Sequence, residues 1–264
     1  MYLEKLDPHS TGRFAFLAYD QGLEHGPADF RPNPPSASPR FILELARDYG
    51  YSAVVFQQGV ALATQGVYPE VLRLIKLNGR ANLYKGEPDS HLLCSVEFAV
   101  RALGARAVGY TLYPGSEQEG RMFAEFAQVV RDARSWEVPV VAWVYPRGKA
   151  VPNDTAPEVI AYATRIAFEL GADIAKVKWS GDRESFRWAC EAAQTTRVVL
   201  SGGVKTEEPK AFLAVLTQVL EAMYEQGKKD GTRMTFDELD DRIGKLKEAL
   251  PHRTPGRPKK KKKG

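Results

Sequence analysis

The sequence predicts an α/β fold of the TIM (β/α)8 type, in which parallel strands form a barrel inside a ring of helices. Three observations support this fold class. The chain has 264 residues and 44% hydrophobic content, which suits one large core in a single barrel. Short apolar runs alternate seven times with amphipathic helical patterns, as in parallel βαβ units. Polar side chains gather where these runs end, which is where such barrels carry their chemistry.

Each element follows from the local pattern. The apolar runs predict strands over residues 14–19, 53–57, 72–77, 106–111, 138–144, 173–178 and 197–201. The segments between them predict helices over residues 39–49, 95–103, 121–136, 157–170, 183–193 and 205–225. Pro39 and Pro157 suit a first helical turn, and glycine follows three of the predicted helix ends, at Gly50, Gly104 and Gly171.

The apolar runs, the cysteines and the net charge exclude some classes of protein. No run of 18 or more apolar residues is present, which excludes a transmembrane helix on length. Cys94 and Cys190 lie far apart without a metal-ligand spacing, and no N-terminal stretch resembles a signal peptide, so we expect a cytoplasmic protein. The net charge of +4 is smaller than the charge of the five lysines at 259–263. Overall basicity therefore says nothing about partners.

A lysine pair inside the sixth predicted strand is the strongest chemical signal. Lys176 and Lys178 stand two residues apart, so both would point to one face of the strand. A desolvated lysine beside a like charge loses its proton near neutral pH, and a neutral amine attacks carbonyl carbon. This interpretation predicts Schiff-base chemistry. The alternative is two lysines that extend to solvent from the end of an amphipathic strand, and this segment alone leaves both open.

Other strand ends add polar candidates. Asp20 follows the first strand and is expected to face the barrel mouth, whereas Glu24 and His25 fit an ordinary hydrogen-bonded loop. Trp143 and Tyr145 share one face by the period of two. The seventh strand ends in glycines whose backbone N–H groups suit a phosphate, Ser201-Gly202-Gly203.

The motifs along the chain resemble those of the archaeal-type class I fructose-1,6-bisphosphate aldolases, a Schiff-base family that also occurs in bacteria. The resemblance covers residues 16–222. It rests on six ordered motifs, at residues 17–30, 54–57, 76–79, 109–116, 145–148 and 171–182.

The resemblance implies roles for the catalytic candidates. Lys176 is the first of two lysines after the Gly171-Ala172-Asp173 element and would form the Schiff base. Lys178 would be the neighbouring charge that helps to keep Lys176 neutral. Tyr145 would move the proton at the nucleophilic carbon of the enamine, and Asp20 would assist carbinolamine formation.

The resemblance also implies the residues that bind substrate. Trp143 would shape the pocket, and Ser201, Gly202 and Gly203 would hold one phosphate of the sugar. Arg147, within the 145–148 motif, is expected to bind substrate as well.

The implied reaction cleaves fructose 1,6-bisphosphate into dihydroxyacetone phosphate and glyceraldehyde 3-phosphate. No metal or other cofactor is expected, because the protonated imine polarises the substrate as a zinc ion would. The four histidines are widely spaced along the chain, in agreement with that expectation.

The C-terminal part departs from the family pattern. An apolar eighth strand ending in a Gly-Arg pair is expected after residue 222 and is apparently missing or replaced. We predict a catalytic barrel over 1–222, a divergent helical segment over 223–250 and a disordered basic tail over 251–264. Three explanations compete: a replacement element or neighbouring subunit closes the barrel, a reading frame is shifted or fused, or catalysis is weakened. Because an open edge is costly, we expect some element to cover it.

Alternative functions remain open. The lysine run is typical of a tail that contacts nucleic acid or an anionic surface, but it is short and lacks aromatic residues, which favours a merely solvated tail. A related Schiff-base aldolase or synthase could act on another phosphorylated keto sugar. The third alternative is a catalytically weakened barrel scaffold. Family members tend to form large rings, so a homo-oligomer is expected, without a membrane partner.

Overall fold

The computed structural model describes residues 3–7, 14–201 and 217–219. The chain divides into two compact units, Met1–Gly203 and Val204–Gly264. The predicted features at Gly202 and Gly203 and over residues 223–264 lie outside the described residues, as does most of the predicted helix 205–225. The predicted loss of an eighth strand also falls there.

Seven parallel strands form the main sheet of the first unit. They follow one another in chain order, each hydrogen-bonded to the previous one, as in a TIM-type barrel. The strands are β1 (Phe16–Ala18), β2 (Ala53–Gln57), β3 (Arg73–Lys76), β6 (Ala107–Leu112), β7 (Val140–Val144), β8 (Ile174–Val177) and β9 (Arg197–Leu200). A separate antiparallel pair is formed by β4 (Asn78–Gly79) and β5 (His91–Leu92). The predicted fold class is confirmed, and all seven predicted strands are present within one or two residues at each end.

Helices follow the strands along the chain. They are α1 (Gln21–Glu24), α2 (Pro39–Asp48), α3 (Gln58–Ala63), α4 (Val96–Arg101), α5 (Glu119–Ser135), α6 (Pro157–Glu169) and α7 (Arg183–Ala192). Three short 3-10 turns cover Leu3–Leu6, Pro27–Phe30 and Pro34–Ala37. Within these described parts of the chain, no helix is long and apolar enough to cross a membrane.

Helix ends have identifiable causes. The Ser95 side chain accepts a hydrogen bond from the Phe98 N–H at 3.2 Å, and Asp182 accepts one from the Ser185 N–H at 2.9 Å, which caps α4 and α7. Gly50, Gly104 and Gly171 adopt positive φ where their helices end, as predicted. The short elements α1, α3, β4 and β5 were not predicted, because two to six residues are too few to establish a period.

The barrel interior is filled by alternate residues of the strands. Parallel strands are buried on both faces, so the outward residues also pack, against the helices. Leu6, from the N-terminal 3-10 turn, is fully buried in this interior cluster. The other buried members of the cluster are Ala53, Val55, Leu74, Ala107, Val141, Trp143 and Ile174.

A glycine makes room for the largest interior side chain. A Cβ atom on Gly109 of β6 would lie 2.3 Å from Cζ3 of Trp143 on the neighbouring strand β7. The Trp143 indole therefore packs directly on the Gly109 backbone, where any larger residue would collide with it. The indole lies at the base of the barrel mouth.

Asn78 connects β4 to β6 at the upper edge of the sheet. Its fully buried amide accepts a hydrogen bond from the Thr111 N–H at 2.7 Å and donates one to the Thr111 carbonyl at 2.9 Å. We expect Asn78→Ala to lower the free energy of unfolding by about 2–4 kcal/mol, because two buried backbone groups lose their partner. Urea unfolding measures the change.

Asn33→Ala is the matched control, since Asn33 is exposed and its side chain makes no cap bond. It should change the free energy of unfolding by less than about 0.5 kcal/mol. Equal effects of the two substitutions would contradict a structural role for the Asn78 amide.

Candidate active site

The candidate site lies in the barrel mouth, at the carboxyl ends of the strands. Lys76 ends β3, Lys176 lies on β8 and Ser201 follows β9. Asp20 follows β1 and Tyr145 follows β7. Each of these residues continues the alternation of the inward-facing residues of its strand, so the sheet geometry brings them together.

Asp20 and Lys76 form a buried ion pair. The Lys76 Nζ lies 2.9 Å from Asp20 Oδ2, and the two side chains are 4% and 12% exposed respectively. Burial by itself raises the pKa of Asp20. The charges of Lys76 and Lys176 and the hydrogen bond from Lys76 outweigh that effect, so the pKa of Asp20 is lowered. Asp20 is therefore a carboxylate near neutral pH.

Lys176 lies opposite Trp143 in the β7–β8 register, with its Nζ 5.3 Å from the indole centroid. Its pKa is lowered mainly by burial, and the Lys76 charge lowers it further. Asp20 and Glu24 act in the opposite direction without cancelling the shift. The neutral amine required for attack on a carbonyl is therefore favoured at this position.

The structure assigns the neighbouring positive charge to a different lysine from the one predicted. Lys178 directly follows strand β8, which ends at Val177. Its Nζ instead donates a hydrogen bond to Asp154. Lys76 supplies the like charge at Lys176. The two lysines of the motif thus have different surroundings, and the role expected for Lys178 stays a prediction.

Lys76 is the functional residue that sequence reasoning did not assign. Its Nζ lies 4.5 Å from the Trp143 ring centroid, so the Nζ atoms of Lys76 and Lys176 both lie over one indole. One signal was available in the sequence: a lysine ends the fully buried strand β3. A lysine in that position needs a buried partner, and Asp20 provides it.

Tyr145 contacts Ser201 across the mouth. Its hydroxyl donates a hydrogen bond to Ser201 Oγ at 3.1 Å. Burial raises the pKa of Tyr145, the hydrogen bond with Ser201 lowers it by less, and the charges of Asp20 and Glu24 raise it further. The phenol is therefore protonated at neutral pH and can donate a proton. Trp143 and Tyr145 both pack on the interior cluster, so the prediction of a shared face is confirmed.

Arg147 lies at the rim of the mouth. Its guanidinium carbon is 5.5 Å from the ring centroids of both Tyr113 and Tyr145, and Nη1 is 3.8 Å from Glu24 Oε1. Glu24 is thus part of the site rather than of an ordinary loop. His25 fits the loop interpretation, since its exposed ring bonds Asp29 at 2.8 Å.

No group of three or more His, Cys, Asp or Glu side chains that could hold a metal ion occurs in the described part of the chain. The reactive groups that the mouth does bring together are an amine, a carboxylate and a phenol. This set supplies a nucleophile for a carbonyl, a proton carrier and a proton donor.

A TIM-type barrel with a desolvated lysine in its mouth is the arrangement expected of an enzyme that forms a Schiff base with a carbonyl substrate. The chain belongs to the DeoC/LacD family of aldolases, whose model matches residues 14–234. The resemblance seen in the motifs is thereby confirmed.

Individual relatives agree with the family. The chain is 54% identical to the class 1 fructose-bisphosphate aldolase of Thermoproteus tenax over 212 residues, 80% of this chain and 79% of the relative. It is 33% identical over 243 residues to the fructose-bisphosphate aldolase/6-deoxy-5-ketofructose 1-phosphate synthase of Methanocaldococcus jannaschii, 87% of this chain and 78% of the relative.

A solved structure is similar as well. It is an archaeal fructose-1,6-bisphosphate aldolase whose catalytic lysine is covalently bound to the carbinolamine intermediate of the substrate. The TM-score is 0.80 at 50% identity, over 84% of this chain and 88% of that chain.

We expect Lys76→Met to shift the reactivity of Lys176 toward alkaline pH. The substitution removes a positive charge that lowers the pKa of Lys176 and leaves Asp20, which raises it, without its partner. Both changes raise the pKa of Lys176, by about one unit or more. The pH dependence of acetic anhydride labelling at Lys176, quantified by peptide mass spectrometry, measures the shift.

Lys178→Met provides the comparison for this experiment. Because Lys178 pairs with Asp154, its removal should leave the labelling profile of Lys176 nearly unchanged. An alkaline shift in Lys178→Met together with none in Lys76→Met would restore the role first predicted for Lys178.

Proposed function

We propose that this protein is a class I fructose-bisphosphate aldolase that cleaves fructose 1,6-bisphosphate through an imine on Lys176. The observation that carries the proposal is a half-buried lysine of lowered pKa inside the barrel mouth of a DeoC/LacD aldolase. The Thermoproteus tenax relative supports the substrate assignment.

The first steps form the imine. The neutral Nζ of Lys176 attacks C2 of the open-chain ketose and gives a carbinolamine. Asp20, whose charge acts on Lys176, carries a proton to the departing hydroxyl, which leaves as water. The product is a protonated imine. Trp143, against which both Lys76 and Lys176 lie, keeps the reacting carbon within reach of these groups.

The next steps break and rebuild bonds at C3. The C3–C4 bond breaks as the C4 hydroxyl passes its proton to the Asp20 carboxylate, and the electron pair of the bond flows into the imine. Glyceraldehyde 3-phosphate leaves and an enamine remains on Lys176. The phenol of Tyr145, whose pKa burial raises further, delivers a proton to C3 and takes one back from Asp20. Addition of water to the imine then frees dihydroxyacetone phosphate and restores the amine.

Phosphate binding is proposed on the β9 side of the mouth. Ser201 lies there, with its N–H donating to the Val177 carbonyl and its Oγ accepting from Tyr145. Gly202 and Gly203 would add backbone donors, and Arg147 would add a cation at the rim. Lys178, paired with Asp154, takes no part in the imine steps of this proposal.

A second candidate is favoured by one relative. The Methanocaldococcus jannaschii protein is named both as an aldolase and as a 6-deoxy-5-ketofructose 1-phosphate synthase. The imine on Lys176 would serve either reaction, since both need an enamine from a phosphorylated ketose. Product analysis with dihydroxyacetone phosphate and a panel of aldehydes separates the two candidates.

We further propose a cytoplasmic homo-oligomer acting in glycolysis or gluconeogenesis. Both cysteines are buried and free, which suits a reducing compartment. Exposed aromatic side chains on α6 and α7, Tyr162 and Trp188, offer surface for self-association. Light scattering of the purified chain tests the assembly. Limited proteolysis tests the proposed division at residues 222 and 250.

Borohydride trapping tests the function directly. In the presence of dihydroxyacetone phosphate, reduction should fix the ketose carbon skeleton on Lys176, because only an imine is converted into a stable secondary amine. Lys176→Arg keeps a cation but cannot form the imine, so we expect no adduct and no cleavage. Lys178→Arg is the control and should retain the adduct. Wild-type protein that is folded but untrapped would exclude the proposal.

Tyr145→Phe should separate imine formation from carbon–carbon chemistry. The ring and its packing remain, but the proton donor is lost. We expect trapping at Lys176 to persist while the cleavage rate falls by about 10²- to 10⁴-fold. Steady-state cleavage of fructose 1,6-bisphosphate measures the loss. A variant with wild-type kcat would show that another group moves this proton.

A further inference from the structure

Tyr145 and Ser201 lie on either side of the strand that carries the reactive lysine. Tyr145 follows β7 and Ser201 follows β9, and β8, with Lys176, pairs with both of these strands. The hydrogen bond between the two hydroxyl oxygens, 3.1 Å long, therefore joins the two neighbours of β8 at their carboxyl ends. This contact spans the part of the mouth in which the imine is proposed to form.

Backbone hydrogen bonds hold both residues in place. The Tyr145 N–H donates to the Leu112 carbonyl at 3.0 Å and extends the pairing of β7 with β6. The Ser201 N–H donates to the Val177 carbonyl at 2.7 Å and extends the pairing of β9 with β8. The sheet thus fixes the two backbones, whereas the hydroxyl hydrogens remain free to rotate.

Proton transfer from Tyr145 to C3 leaves a phenolate in poorly solvated surroundings. Burial raises the pKa of Tyr145, and the charges of Asp20 and Glu24 raise it further, so each of them disfavours this phenolate. A buried anion needs a hydrogen-bond donor within reach. Among residues 3–7, 14–201 and 217–219, Ser201 is the side chain that forms a hydrogen bond with the Tyr145 hydroxyl.

A serine hydroxyl can serve both states of the phenol. It has two acceptor lone pairs and one hydrogen that rotates about the Cβ–Oγ bond. Ser201 Oγ accepts from the neutral phenol in the structure, and the same two oxygens allow it to donate to the phenolate. The contact with Ser201 lowers the pKa of Tyr145, the direction expected of a group that favours the phenolate. A hydrogen bond to an anion is about twice as strong as one between neutral groups.

We propose that Ser201 is a positioning residue for proton transfer, which holds the Tyr145 hydroxyl over the end of β8 and donates its own hydrogen to the Tyr145 phenolate once the proton has moved to C3. The inference rests on the proposed function, since it assumes an enamine on Lys176. The π electrons of the enamine form the C3–H bond, the O–H bond of Tyr145 breaks, and its electron pair stays on the phenolate oxygen. Protonated Asp20 then returns a proton to that oxygen, and the Ser201 hydroxyl rotates back to accept.

Hydrogen exchange at C3 tests this role apart from cleavage. Proton loss from the imine of dihydroxyacetone phosphate reverses the proposed step and uses the same phenolate. In D2O, mass spectrometry measures the deuterium that dihydroxyacetone phosphate gains at C3. For Ser201→Ala, we expect the exchange rate at saturating substrate to fall by about 10- to 100-fold, the size of a lost hydrogen bond to a charged group. Borohydride trapping at Lys176 should persist, because the proposed imine steps do not use Tyr145.

Ser201→Thr and Ser201→Val form a matched pair. Threonine keeps the hydroxyl on a β-branched side chain, and valine has nearly the same shape without it. We expect exchange near the wild-type rate in Ser201→Thr and exchange as slow as that of Ser201→Ala in Ser201→Val. Ser135→Ala is the control: this exposed position on α5, whose Oγ donates to the Asp132 carbonyl, should leave the exchange rate unchanged.

A double variant shows whether Ser201 acts through Tyr145. Because Tyr145→Phe already removes the phenol, the addition of Ser201→Ala should slow exchange no further. An additional loss of 10-fold or more in the double variant would overturn the inference, since Ser201 would then act independently of Tyr145. A raised KM with an unchanged rate at saturation in Ser201→Ala and Ser201→Val would overturn it as well, and would leave Ser201 with substrate binding alone.

The wild-type protein separates this inference from the proposed function. A Lys176 adduct and C3 exchange in the wild type, with equally fast exchange in Ser201→Ala, overturn the role of Ser201 and leave the aldolase intact. No adduct and no exchange in the folded wild type overturn the aldolase, and the role of Ser201 with it.

Discussion

The ion pair between Lys76 and Asp20 is the interaction on which the chemistry of the mouth depends. Three ionisable groups meet there with little access to water: two lysines and one carboxylate. The single negative charge of Asp20 can compensate only one positive charge, and Asp20 forms its ion pair with Lys76, at 2.9 Å. A second ammonium at Lys176 would be desolvated without a close partner, which is unfavourable. Burial and the Lys76 charge therefore lower the pKa of Lys176, and this shift favours the neutral, nucleophilic amine.

The barrel places these groups by a simple geometric rule. Inward-facing residues recur every second position, so Asp20 continues Phe16, Lys76 continues Leu74 and Lys176 continues Ile174. Lys76 and Lys176 lie on strands three places apart in the sheet, yet both reach the indole of Trp143 across the interior. Trp143 can span that space because Gly109 on the adjacent strand has no side chain. The inward-facing positions are apolar within the barrel and become charged or polar at the carboxyl ends of the strands. The same alternation of residues therefore builds both the apolar interior and the charged mouth.

This rule also explains what the sequence could predict. Strand positions were predictable because each strand is a local apolar run, and Asp20, Tyr145 and Lys176 were found because each stands at the end of one. The partner of Asp20 was not predictable, since Lys76 lies 56 residues away and the pair exists only after the sheet closes. The contact of Lys178 with Asp154 was not predictable either, since the two residues are 24 positions apart and meet only in the folded barrel.

Burial also solves a problem that imine chemistry poses for the protein. The reaction needs a deprotonated amine and a protonated acid at the same pH, although an ordinary lysine and most ordinary acids are in the opposite states. Burial disfavours charge on either group, so it lowers the pKa of Lys176 and raises that of Tyr145. The pH range in which the amine is neutral and the phenol is protonated widens from both sides. Asp20 escapes the same effect because the charges of Lys76 and Lys176 and the hydrogen bond from Lys76 lower its pKa, so it remains a carboxylate beside the amine.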